Sequence, residues 1–84
     1  MTQDQALAMI VEALQKAVPS AENNIHLETH LVKDGIIDSL DSMAFLYELE
    51  ALFGGRIEEI TDEFDDFRVI RLVNILQEYQ RPSI

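Results

Sequence analysis

The chain has 84 residues, no cysteine, and 16 acidic against 6 basic side chains, for a formal charge of −10. That length allows one domain, residues 1–84, with a modest core, and the missing cysteine excludes a disulfide framework, a thiolate metal site and a cysteine nucleophile. The charge argues against nucleic acid and anionic membrane surfaces, whose phosphates it repels, and suits basic protein partners, although acidity also serves solubility alone.

No basic region followed by an apolar run opens the chain, so no secretory leader is expected and a cytoplasmic protein is. The apolar runs are a few residues long, far short of the roughly 20 a membrane-spanning helix needs. A first helix is predicted over about 4–17. Ala6, Leu7, Ile10, Val11, Leu14 and Val18 recur at spacings of three and four and make one apolar face. Thr2 or Asp4 supplies the cap, and Pro19 stops the helix.

A long connection follows over 20–38, with Asn23, Asn24 and Gly35 among Ile25, Leu27, Leu31, Val32, Ile36 and Ile37. A free loop of that length is uncommon in a small domain, so these apolar residues are expected to pack on the helices. His26 and His30 are four apart, a metal-binding spacing on a helix. This segment does not read as helical, so they read as ordinary loop residues and no metal ligand is assigned.

A second helix is predicted over 39–53, ended by Gly54 and Gly55 in the left-handed cap conformation. A short acidic stretch at 60–66 is expected to form a short helix of one or two turns. A last helix is predicted over 68–79, with Val69, Ile70, Val73, Ile75 and Leu76 as its apolar positions, and Pro82 closes the chain. The expected fold is all-α: a small four-helix bundle of three longer helices and one short one, with a long packed loop between the first two.

The second helix has two apolar sectors. With Ser39 at zero and about 100° per residue, Phe45, Leu46, Leu49, Leu52 and Phe53 centre near about 280°. Leu40, Met43, Ala44, Tyr47 and Ala51 centre near about 90°, almost opposite. Either this is a central helix covered on both sides, or the second sector is an exposed stripe for a partner. Asp41 and Glu48 flank the stripe on one side and Glu50 on the other, an acidic rim that suits a basic partner with an apolar groove. Ser39 stands at the helix N-terminus, where a phosphate would meet unpaired N–H groups and the positive end of the dipole. Asp38 can cap the helix, and Asp-Ser before a helix is by itself a capping pair far more often than a modification site.

The run Asp34-Gly35-Ile36-Ile37-Asp38-Ser39-Leu40-Asp41-Ser42-Met43 resembles the signature of acyl and peptidyl carrier proteins. Leu49-Glu50-x-Leu52-Phe53 resembles that family's helix ending, and Phe67-Arg68-Val69-Ile70 its entry to the last helix, so the resemblance covers nearly the whole chain. It implies that Ser39 receives 4′-phosphopantetheine from coenzyme A, with Ser42 the nearby rival hydroxyl. It also implies a non-catalytic, monomeric carrier of acyl or aminoacyl thioesters. Its partners would be a phosphopantetheinyl transferase, a loading ligase or transferase, and condensing or tailoring enzymes of fatty-acid, polyketide or other specialised biosynthesis. Asp38 and Asp41 would help dock the transferase. Leu40, Met43 and Tyr47 would make the apolar contact, with Glu48 and Glu50 on the rim.

The chain departs from the commonest fatty-acid type, which often has an acidic residue where Ala44 stands and Ile-Pro where Ile57-Glu58 stand. Gly54-Gly55-Arg56 is likewise atypical. These differences point toward stand-alone carriers of dedicated pathways, D-alanyl carriers included.

Three other classes remain to set against the residues. A calcium loop placed on Gly35 puts His30 and Val32 at ligand positions, and neither is a carboxylate. A serine hydrolase needs a histidine partner for Ser39, and His26 and His30 reach it only by folding. A carrier-like module that is never modified and acts through its stripe alone is the remaining alternative.

Overall fold

The computed structural model describes residues 1–21, 24–61 and 63–79. Asn23 and Pro82, named above in the connection and at the chain's end, lie outside the described residues, as does position 62 of the acidic stretch. Three helices stand among the described residues: α1 (Gln3–Ala17), α2 (Ser39–Phe53) and α3 (Val69–Tyr79). The only bridge-like pairing among them is one antiparallel bridge between His30 and Arg68. No helix among them is long and apolar enough to cross a membrane.

α1 and α2 begin where their local chemistry allows. Thr2, not Asp4, caps α1: its Oγ1 accepts from the Gln5 amide at 3.1 Å, and the Gln5 carboxamide oxygen accepts from the Thr2 amide at 2.8 Å. This reciprocal box satisfies two backbone donors that a helix start otherwise leaves open. Asp4 sits in the first turn and Lys16 in the last, each at the dipole end it favours. Asp38 caps α2, its Oδ1 accepting from the Asp41 amide at 2.8 Å. Gly54 ends α2 at φ 98°, a left-handed conformation that costs glycine nothing. At α3 the cap comes from far away in sequence. The Val69 and Ile70 amides donate to the carbonyls of Thr29 and Leu27 at 2.9 and 3.1 Å. The long connection therefore supplies the acceptors that the start of α3 lacks.

The connection packs as expected, with Ile25, Leu31 and Ile37 buried. Residues 31–35 form a compact turn: the Asp34 amide donates to the His30 carbonyl, and the Asp34 carboxylate accepts from the His30 amide, both at 2.9 Å. Gly35 at φ 79° then lets the chain reverse toward Asp38.

A fourth helix is not found among the described residues. In its place a turn at 57–60 is closed by the Ile60 amide on the Ile57 carbonyl, and the Phe64 amide donates to the Thr61 carbonyl, both at 3.0 Å. Aspartates compete with the backbone for hydrogen bonds, and one or two turns repay helix nucleation poorly. Buried Ile57, Ile60 and Phe67 hold this segment to the core.

The core joins Ala6, Ile10, Ala13 and Leu14 of α1 to Phe45, Leu46 and Leu49 of α2 and Val69, Leu72, Val73, Ile75 and Leu76 of α3. Ala13 and Leu72 are buried although the apolar faces read from spacing omitted them. α1 packs along both α2 and α3, whereas α2 and α3 make little close backbone approach. The helix with neighbours on two sides is therefore α1, and α2 is not the covered central helix that its two apolar sectors allowed.

Candidate functional site

α2 buries one sector and leaves the other in solvent. Phe45, Leu46 and Leu49 are buried, with Leu52 and Phe53 half-buried. On the opposite side Leu40 is 85% exposed, Met43 47% and Tyr47 79%, and Ala44 and Ala51 are exposed beside them. Three large apolar side chains in one row lose favourable burial by standing in water, about 25 cal/mol for every Å² left wet. The fold therefore does not require that row to be apolar.

Two serines open this helix, and their surroundings differ. Ser42 is 7% exposed, and its Oγ donates to the Ser39 carbonyl at 2.7 Å. The Ser42 hydroxyl thus faces the core and is already used. Ser39 is exposed at the first position of α2, so its hydroxyl is the one a reagent from solution can reach. The same helix start offers backbone N–H groups and positive dipole to an anion placed there.

The sequence-selected residues fall in three settings. Ser39, Leu40, Met43 and Tyr47 form a continuous exposed row on α2. Asp38 is exposed but structurally employed as the cap, and Asp41 is half-buried one turn on, beside the same helix start. Glu48 is half-buried on the flank shared with Asp41. Glu50, expected as a rim charge on the other flank, has a second occupation: its Oε2 accepts from the Ile57 amide at 2.8 Å, which ties the chain beyond α2 back onto the helix.

Arg56 belongs to this face and was not among the residues selected for it. A groove of about 220 Å³ between α2 and the following segment is lined by Met43, Leu46, Tyr47, Glu50, Arg56, Ile60 and Thr61. A second, shallower depression on the other side of Tyr47 is lined by Tyr47, Glu50, Ala51, Gly55 and Arg56. The available signal was a basic residue placed directly after the helix end in a strongly acidic chain.

The histidines stand in a different setting. His30 Nδ1 accepts from the Lys33 amide at 3.0 Å, and the His30 backbone bridges to Arg68 at the entrance to α3. His26 is exposed, its amide donating to Thr29 Oγ1 at 2.9 Å. Both residues are thus engaged in shaping the connection. Beside them Arg68 makes a two-point ion pair with Asp66, with both contacts at 2.7 Å. That pairing, through its hydrogen bonds first, lowers the pKa of the Asp66 carboxyl.

Compared with protein families, curated proteins and solved structures, the chain finds no match.

Proposed function

We propose that this chain is an acyl carrier whose attachment point is Ser39. One observation carries the reading: an exposed serine hydroxyl heads an exposed apolar row on α2, while the neighbouring serine is buried and already bonded. The residue resemblance around Asp38-Ser39-Leu40 supplies the chemistry. Ser39 Oγ attacks the phosphorus that bears the pantetheine arm in coenzyme A. The new O–P bond forms as the pyrophosphate bridge breaks, adenosine 3′,5′-bisphosphate leaves, and the hydroxyl proton passes to a base on the transferase. Bound phosphopantetheine supplies a thiol, which this cysteine-free chain lacks, to hold an acyl group as an activated thioester.

The chain's own residues then have three tasks. Ser39 anchors the arm at the positive end of α2, where its phosphodiester is electrostatically favoured. Leu40, Met43 and Tyr47 provide a small apolar contact for each partner enzyme. Asp38, Asp41 and Glu48 steer basic partners in, and a contact of this kind combines fast arrival with ready release. The tether keeps cargo at high effective concentration wherever the carrier is docked. In this reading the turns around 57–66 take the place of the short helix in a four-helix carrier bundle, and the protein works as a cytoplasmic monomer without catalytic residues of its own.

The test is intact mass after incubation with coenzyme A and a broad-specificity phosphopantetheinyl transferase, with Ser39→Ala beside it. The expected result is a gain of one phosphopantetheine by the wild type and none by the variant. A folded wild type that gains nothing would overturn the reading. The exposed row favours one other function, that of an unmodified module binding protein partners through α2, and that reading would then stand.

A further inference from the structure

We infer that the exposed face of α2 is electrically polarised across its width. The partner it fits is apolar at the centre, cationic on the Asp41–Glu48 side, and carries a carboxylate on the other side, opposite Arg56. This deepens the carrier reading and rests on it only in taking α2 as the face a partner meets.

The two flanks of the row differ in what they present. On one, Asp41 and Glu48 lie within about 20° of each other around the helix, one carboxylate above the other. Neither has an ion-pair partner among the described residues. On the other flank the single carboxylate of α2 is Glu50, and one of its oxygens is spent on the Ile57 amide. Arg56 shares both depressions around Tyr47 with Glu50, is exposed, and has no ion pair within 4.0 Å among the described residues. Glu58 and Glu59 line neither depression, and Glu59 is turned to the Tyr79 hydroxyl at 2.6 Å. Among the described residues that line these depressions, this flank therefore offers a five-donor guanidinium beside a half-satisfied carboxylate.

A partner with positive charge on both sides of its apolar centre would set a cation against Arg56, and like charges brought together at a contact are penalised. A carboxylate in that place gains a planar, two-point hydrogen-bonded match. Arg56 is thus a specificity-determining residue, which admits partners of mixed charge and disfavours uniformly basic ones.

The test uses two synthetic amphipathic helical peptides with one leucine stripe, one with lysine on both flanks and one with lysine on one flank and glutamate on the other. Their Kd values are measured by fluorescence anisotropy at physiological salt on the unmodified protein. Arg56→Glu is expected to shift the ratio of the two Kd values about fivefold toward the all-lysine peptide. Lys16→Glu on α1, which makes the same change in net charge but lines neither depression around Tyr47, is expected to shift it less than about twofold. Tyr47→Glu should weaken both peptides. Equal shifts from Arg56→Glu and Lys16→Glu, or binding indifferent to Tyr47→Glu, would overturn the inference. No peptide measurement depends on modification of Ser39, so its failure is distinguishable from a failed mass gain.

Discussion

Asp38 and Ser39 are adjacent, and the structure separates what each does. Asp38 is the cap, so Asp38→Ala should cost about 1 kcal/mol of stability, read as a lower denaturation midpoint, while Asp38→Asn should restore most of it. Ser39→Ala should leave the midpoint unchanged, because the exposed hydroxyl supports nothing in the fold. A drop as large as that of Asp38→Ala would mean that Ser39 is structural. Tyr79 carries the second prediction at this scale. Its hydroxyl donates to Glu59 at 2.6 Å. That bond first, then desolvation and the charges of Glu59, Glu58 and Glu78, push the phenol up to about 12. The pKa is raised on folding, so the neutral phenol's contribution is whole below the unfolded value of about 10. It is lost as pH climbs from there through the folded value. Urea titrations at the two ends of that range should show wild type falling more steeply than Tyr79→Phe, and parallel curves would show the bond to be without consequence.

The helices differ in what holds them. α1 and α2 carry their own caps and stops, and their bounds could be read from Thr2, Pro19, Asp38 and Gly54 because capping is chemistry among residues a few positions apart. α3 could be placed from its apolar spacing, but its start is held by the carbonyls of Leu27 and Thr29, about forty residues earlier, which no local pattern records. The 60–66 stretch went the other way, expected as a short helix and found as turns. On α2 both apolar sectors were legible, the Phe45–Leu49 one as a core face, and whether the other is covered as well was not. Tyr47→Glu tests the outcome: it should change stability by no more than about 0.5 kcal/mol, as exposed surface substitutions do. Leu49→Ala, on the opposite side, should cost about 2–5 kcal/mol. Comparable losses would return Tyr47 to the core.

Across the whole molecule the connection between α1 and α2 is as much a part of the fold as the helices are. Leu31 is buried, its amide donates to the Phe67 carbonyl, and Phe67 packs against Phe45 at 6.5 Å and Phe64 at 5.4 Å between ring centres. Phe67 therefore joins α2, the turns before α3 and the long connection at one point. Phe67→Ala should cost about 3–5 kcal/mol, a large share of the 5–15 kcal/mol that holds a native domain. The loss should reach α2 and the turns, which meet on the ring, and through the Leu31 bond the connection that pairs with the same residue. In hydrogen exchange, the Val69 and Ile70 amides should lose protection together with the amides of α2. Loosening confined to 63–68 would show that the ring serves only its own segment.

The sequence by itself determined where α2 begins and ends, where α1 stops, that the connection must pack, and that α2 has two apolar sides with a serine at its head. These are properties of backbone hydrogen bonds and side-chain period, settled within a turn or two of each residue. Only the tertiary structure decided that α1 takes the central place, that the Leu40–Met43–Tyr47 row stays in solvent, that Ser42 is spent inward while Ser39 is open, and that Arg56 comes to stand beside Tyr47. Those outcomes depend on which distant segments arrive at a given face, because burial is a contest among all the apolar surfaces of the chain and no stretch of sequence carries its result alone.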